Sequence, residues 1–293
     1  MNVKFSFPWK NKALYQQWRD EKLAAYPLEV SHLCIEITDA GQISDPEIQL
    51  MLQTAARHNL AFYRLNGDSG DKHKVHQLAA RCGLRRIDHN LCADADSLTT
   101  LQVGTHAGQH DYIPYTNQRL SWHTDGYYNA PEQQINGMLL HCVRPAANGG
   151  DSLLMDHDIA FILLYEANPA YIEALMHPEA FTIPANILKG EVIRPQRSGP
   201  VFSVTNDCRL HMRYSARQRN VLWRDDVPTR QAAEFLLQLW ESDSPYILRY
   251  RLQSGEGLVC NNVLHRRTAF TDSDDPAQAR CLYRGRYLDA LSR

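Results

Sequence analysis

From residue 119 to residue 288 the chain passes through one short stretch after another in which apolar and polar residues alternate, with turn-forming residues between them. The segment Tyr246 to Leu252 (YILRYRL) is typical. Side chains on a strand point to opposite faces in turn, so such a stretch buries one face and wets the other, as antiparallel strands do. The spacing predicts strands at Arg119–Asp125, Gly137–Val143, Ser152–Asp156, Val201–Val204, Tyr246–Leu252, Gly257–Val263 and Ala279–Leu288. Helices are expected at Ile159–Met176 and Thr229–Glu241, packed outside the strands. Many short strands with turns between them make a sandwich, barrel or jelly roll, so the expected class is mainly β with flanking helices.

The first third reads differently, as mixed α/β. Asp45-Pro46 opens a helix that runs to about His58, Leu60 to Leu65 (LAFYRL) is a buried strand, and Asp71 to Cys82 is a second helix stopped by Gly83. No internal repeat, low-complexity tract or Pro/Gly/Ser-rich linker interrupts the chain. One continuous domain over residues 1–293 is therefore expected, with an α/β part at 1–110 and a motif-bearing β core at 111–293.

Composition narrows the function classes. A net charge of −2 gives no pull toward nucleic acid or an anionic membrane. The cysteine count of 7 is odd, and no Cys-x-x-Cys pair occurs. That argues against a disulfide framework or structural zinc and fits a reducing compartment. No apolar leader segment and no run of about 18 apolar residues is present, so the expected location is the cytoplasm. A small-molecule substrate is the expected partner, and self-association is left open.

The residues with chemistry cluster in the β region. In Ser121 to Gly126 (SWHTDG), strand alternation would point His123 and Asp125 the same way. An imidazole and a carboxylate side by side can hold one metal, and a third ligand must come from elsewhere. Two histidines and one carboxylate on one face leave three positions open, the arrangement of non-haem Fe(II) oxygenases. The bland alternative is a half-buried histidine bonded to a nearby carboxylate. Gly257 to Val263 is an apolar strand that leads into a turn carrying His265. Arg280 and Arg284 lie four apart on a predicted strand and so share a face. A buried arginine there can clamp a carboxylate of 2-oxoglutarate in bidentate fashion, although arginines more often snorkel to solvent. Gly149-Gly150 permits a tight turn, and the Ser152 hydroxyl beyond it can meet a co-substrate carboxylate; plain hairpin chemistry is the alternative.

Four segments then resemble, in order and spacing, the taurine dioxygenase superfamily of Fe(II)/2-oxoglutarate-dependent dioxygenases, nearest its γ-butyrobetaine hydroxylase side. They are Tyr115–Asp125 (YTNQRLSWHTD), Gly149–Asp156 (GGDSLLMD), Asn262–Phe270 (NVLHRRTAF) and Arg280–Asp289 (RCLYRGRYLD). The resemblance implies a double-stranded β-helix, or jelly roll. It implies His123, Asp125 and His265 as metal ligands, Ser152 and Arg280 near 2-oxoglutarate, and Arg284 where taurine-type members meet a substrate anion. Three departures stand out. Arg266 replaces a glycine common after the distal histidine, the Arg-Gly-Arg-Tyr ending leaves the placement of Tyr287 open by one residue, and no cysteine-rich N-terminal module is present.

The implied reaction uses Fe(II), 2-oxoglutarate and O2 to oxidise a C–H bond, releasing succinate and CO2. A catalytically silent protein on the same fold and a zinc hydrolase using the same three ligands are the competing readings. The pocket is expected at the open end of a barrel, lined by Tyr112, Tyr115, Tyr127, Tyr128, Tyr287 and Arg284. Aromatic faces favour a quaternary ammonium and Arg284 an acidic group, so the expected substrate is small, polar and acidic or zwitterionic.

Overall fold

The computed structural model describes residues 8–27, 29–66, 70–88, 98–103 and 113–292. Two antiparallel sheets dominate, with helices outside them. One has six strands in the order Cys34–Ile37, Leu60–Leu65, Glu256–Cys260, Gly137–Arg144, Cys281–Tyr287 and Thr99–Leu101. Only its edge pair, Cys34–Ile37 with Leu60–Leu65, is parallel. The other has four strands in the order Leu248–Tyr250, Ser152–Met155, Leu264–Arg267 and Leu120–His123. The sheets pack face to face as a jelly roll without closing into one hydrogen-bonded barrel. Leu154 from the small sheet and Met138, Leu258 and Leu282 from the large one share a buried cluster. The two stretches of chain are interleaved: Leu60–Leu65 pairs antiparallel with Glu256–Cys260.

Local chemistry accounts for the elements. The helix Asp45–His58 begins where the sequence predicts, because Ser44 and Glu47 form a reciprocal capping box and proline occupies its first turn. It ends at Asn59, in left-handed conformation at φ 57°. The stretch predicted as one helix over Ile159–Met176 is two, His157–Ala167 and Pro169–Leu175. Pro169 offers no N–H to continue the ladder, and the residue before a proline avoids helical geometry. Asn168 is accordingly extended, and its side chain caps the second helix through Ala170 N. A helix at Lys12–Ala25 and a hairpin of Asn186–Leu188 with Glu191–Arg194 were not expected from the sequence.

The strand expected to run to Asp125 stops at His123. Asp125 lies in a turn, and Gly126 takes φ 68°, where a Cβ would come within 2.3 Å of Ile135 Cγ1. Gly149 is similarly needed: its φ is 70°, and a Cβ would meet Ala269 O at 2.4 Å. No helix among the described residues is long and apolar enough to cross a membrane.

Candidate metal centre and substrate cavity

His123 and His265 sit directly opposite each other on adjacent antiparallel strands. Their rings are 4.3 Å apart between centroids. Asp125 joins them from the turn, so the alternation expected to align it with His123 is not what places it. Its backbone is held instead: Asp125 N donates to Asn262 Oδ1 at 2.8 Å, and Asn262 Nδ2 donates to Asp125 O at 2.9 Å and Ile135 O at 2.8 Å. Asn262 is 1% exposed and takes a left-handed φ of 49°. It sits in the short connection between strands Glu256–Cys260 and Leu264–Arg267, and its side chain grips the carboxylate-bearing turn across from it; His265, expected in that connection, stands instead on the second strand.

The donor atoms of His123, Asp125 and His265 all lie within 4.8 Å of one another. Nδ1 of His123 faces Ser121 O at 2.8 Å, and Nδ1 of His265 faces Val263 O at 2.9 Å. A carbonyl can only accept, so each Nδ1 carries its proton and each Nε2 keeps a lone pair for a metal. The 3.7 Å between His123 Nε2 and Asp125 Oδ1 is within the ~4.2 Å that two metal bonds of about 2.1 Å can span. Asp125 Oδ2 is buried without a hydrogen-bond partner. An orphaned carboxylate oxygen beside two imidazole lone pairs is a donor set suited to a divalent cation.

Electrostatics agree with this. Burial pushes the His265 imidazole down to about 4, helped by the neighbouring His123, so it is neutral and able to ligate. Burial pulls the Asp125 carboxyl up, but Arg284, His123 and Arg286 outweigh it and hold the group well below its ordinary value. Arg284 Nη1 stands 3.6 Å from Asp125 Oδ1. A second donor cluster, Asp156, His157 and Asp158, is already satisfied by an internal cation. Lys22 Nζ lies 2.7 Å from both carboxylates, and Asn59 donates to both.

Two adjoining cavities flank the three ligand candidates. The smaller, about 50 Å³, lies between the sheets and is lined by His265, Ser152, Arg267, Arg280 and Arg284 among others. Arg280 is 5% exposed and has no carboxylate partner among the described residues. Burial lowers its guanidinium to about 10. The Phe270 ring packs against both guanidiniums, 4.9 Å from that of Arg280 and 4.8 Å from that of Arg267. Arg267 donates to the carbonyls of Thr116 and Gln118, which uses part of its donor capacity. The larger cavity, about 730 Å³, contains His123, Asp125, Tyr115, Tyr127 and Tyr128 in its wall. Arg284, Pro114 and Leu120 line both cavities.

The expected pocket residues divide. Tyr115, Tyr127, Tyr128 and Arg284 line the larger cavity. Tyr112 lies outside the described residues. Tyr287 does not reach the cavity. Strand Cys281–Tyr287 turns Arg284 and Arg286 to one side, where Arg280 from just before the strand joins Arg284 in the small-cavity wall, and Tyr287 falls on the other, 0% exposed in a core cluster with Leu84 and Leu139. Arg286 was missed, although it stands two residues beyond Arg284 on the same strand and alternation marks it. Its guanidinium pairs with Asp88 and donates to Tyr128 Oη at 2.8 Å. Arg194, Arg197, Arg217 and Arg219 also line this cavity. No local pattern in the sequence signals them, because only the fold brings their segments to the same wall.

A family model described as taurine catabolism dioxygenase TauD, TfdA family matches residues 22–285. A uridine-5'-phosphate dioxygenase from Amycolatopsis sp is 33% identical over 174 residues, covering 58% of this chain and 61% of that protein. The match thus spans less than two thirds of that relative's length. A uridine-5'-phosphate dioxygenase from Streptomyces sp is 27% identical over 209 residues, covering 68% of this chain and 73% of the relative. Among solved structures, non-heme iron oxygenase OrfP with Fe and alpha-ketoglutaric acid superposes with a TM-score of 0.62 at 16% identity, over 94% of this chain and 92% of that one. Asparagine oxygenase with Fe(II), hydroxyasparagine and succinate gives 0.58 at 15%, over 93% and 92%. At these identities the structural likeness establishes the shared fold.

Proposed function

The chain belongs to the taurine catabolism dioxygenase TauD, TfdA family and is a dioxygenase, and from that premise we propose that it oxidises a C–H bond of a small phosphorylated substrate, a nucleoside 5'-monophosphate, using Fe(II), 2-oxoglutarate and O2. His123, Asp125 and His265 hold the iron, through Nε2, a carboxylate oxygen and Nε2. Bound iron supplies the redox chemistry that couples decarboxylation of 2-oxoglutarate to succinate and CO2 with insertion of oxygen into the substrate. The protein's own groups do the rest. Ser121 O and Val263 O fix the two imidazoles, Asn262 fixes the turn of Asp125, and Arg284 keeps that carboxylate ionised. Arg280 and Ser152, facing the small cavity beside His265, receive the far carboxylate of 2-oxoglutarate.

The observation that carries the substrate reading is the charge of the larger cavity. Its wall holds six arginines against two aspartates, Asp88 and Asp125. Asp88 is taken by Arg286, and Asp125 by the metal site. A quaternary ammonium would enter against that field, so the γ-butyrobetaine likeness does not extend to the substrate, and the acidic half of the expectation is retained. The two relatives named for uridine-5'-phosphate support a phosphate as the acidic group.

The test is succinate formation from 2-oxoglutarate by the iron-loaded protein, with uridine 5'-monophosphate, other nucleotides, taurine, amino acids and betaines added in turn. A nucleoside monophosphate should stimulate turnover and γ-butyrobetaine should not. Stimulation by betaines alone would contradict the substrate reading.

A further inference from the structure

Arg194, Arg197, Arg217 and Arg219 line the larger cavity and are absent from the wall of the smaller one. Arg194 and Arg197 come from the end of the hairpin and the strand that follows it, and Arg217 and Arg219 from the segment after Ser215. None of the four forms an ion pair with a carboxylate among the described residues, whereas Arg286 and Arg284 both have one nearby. Four like charges converging on one cavity repel each other, and a site that tolerates them is suited to a bound anion.

The wall that carries them is braced from behind. Arg213 spends its guanidinium on three carbonyls: Nε donates to Tyr127 O at 2.7 Å, Nη1 to Phe181 O at 2.9 Å and Nη2 to Arg197 O at 3.0 Å. One half-buried side chain thus ties the cavity tyrosine, the core strand and the arginine strand together. Arg194 is positioned in turn by its bonds to Pro184 O at 2.8 Å and Pro195 O at 3.2 Å. Its guanidinium lies 5.9 Å from the Tyr128 ring, and that of Arg286 lies 5.8 Å from the same ring. A single carboxylate is satisfied by one bidentate arginine, whereas a phosphate monoester presents three terminal oxygens and up to two charges.

We propose that Arg194, Arg197, Arg217 and Arg219 form the phosphate subsite of the substrate, separate from the Arg280 site that takes 2-oxoglutarate. The proposal rests on the phosphorylated-substrate reading above and assigns its recognition to these residues. The dianion is held at the arginine wall, which sets the remainder of the substrate against the wall containing His123, Asp125 and Tyr127. Phosphorylated and unphosphorylated forms of one substrate are then distinguished by this wall alone.

The experiment compares wild type, Arg194→Gln, Arg217→Gln and the double variant as iron-loaded full chains. The KM for uridine 5'-monophosphate should rise about tenfold to a hundredfold for each single variant, the range for loss of one charge-assisted pair, while the KM for 2-oxoglutarate moves less than twofold. Arg217→Lys should recover part of the loss, and Arg57→Gln, on an exposed helix position, should lose nothing. In parallel, calorimetry with inorganic phosphate should show binding to wild type and weaker binding to the double variant. That arm does not depend on turnover, so it stands even where no nucleotide stimulates the enzyme. A wild type that binds no inorganic phosphate, single variants with an unchanged nucleotide KM, or an equal rise in the 2-oxoglutarate KM would each overturn the assignment.

Discussion

Asn262→Ala should weaken both the fold and the metal site. The side chain makes three buried hydrogen bonds, two to the backbone of Asp125 and one to Ile135. Each contributes about 1 kcal/mol net, and the partners left behind are buried, so the loss is about 3–4 kcal/mol. The residue also sits at φ 49°, a conformation asparagine tolerates and alanine enters at a cost of about 1 kcal/mol. Together these are a large share of the ~5–15 kcal/mol that stabilises an ordinary domain. Asn262→Gly loses the same bonds without the backbone penalty and should be about 1 kcal/mol less destabilised than the alanine variant. Because the bonds aim the Asp125 turn, Fe(II) affinity should fall about tenfold to a hundredfold in both variants. Urea unfolding of the metal-free protein and anaerobic titration with Fe(II) separate the two effects. Metal affinity within twofold of wild type, in variants that still fold, would refute the idea that Asn262 positions Asp125.

Other perturbations probe the rest of the frame. Lys22→Met leaves Asp156 and Asp158 buried without their cation and should destabilise the protein by about 3–5 kcal/mol, read by chemical unfolding. Glu47 is held down to about 2: burial pushes it up, but hydrogen bonds from Thr38 and Ser44 prevail. Its charged form therefore stabilises the fold above its ordinary value of 4.5, and that stability is lost as pH falls toward 2. Glu47→Gln should cost about 1 kcal/mol at neutral pH, and its unfolding midpoint should converge on that of wild type across the same acid window. Arg280→Ala should raise the KM for 2-oxoglutarate about tenfold or more while Fe(II) binding persists. An unchanged KM would move the clamp to Arg284.

The main strands and the residues proposed as metal ligands were marked in the sequence by local patterns. Ser44, Asp45 and Glu47 announce a helix start by their chemistry, and Leu60–Leu65 is apolar enough to declare itself buried. His123 and His265 were found as motif residues, yet their direct pairing across two strands is a matter of register that no local pattern states. Asp125 was assigned to the right neighbourhood for the wrong geometric reason, since the strand ends before it and a distant asparagine sets its direction. The helix Lys12–Ala25 was hidden because its inward face includes Lys22, a charge that looks solvated until Asp156 and Asp158 arrive from far along the chain. The arginine wall was hidden for the same reason. The four arginines follow no common spacing, and they reach one wall only once the hairpin has formed and the Ser215 segment has paired with the strand Leu120–His123 of the small sheet.

Binding of one iron by His123, Asp125 and His265 is tested most directly by metal stoichiometry. Anaerobic equilibrium dialysis against Fe(II) should give one tightly bound ion per chain in the wild type. His123→Ala, Asp125→Ala and His265→Ala, each checked for a native unfolding transition, should each lose it. Retention of one tightly bound iron by any of these folded variants would contradict the assignment.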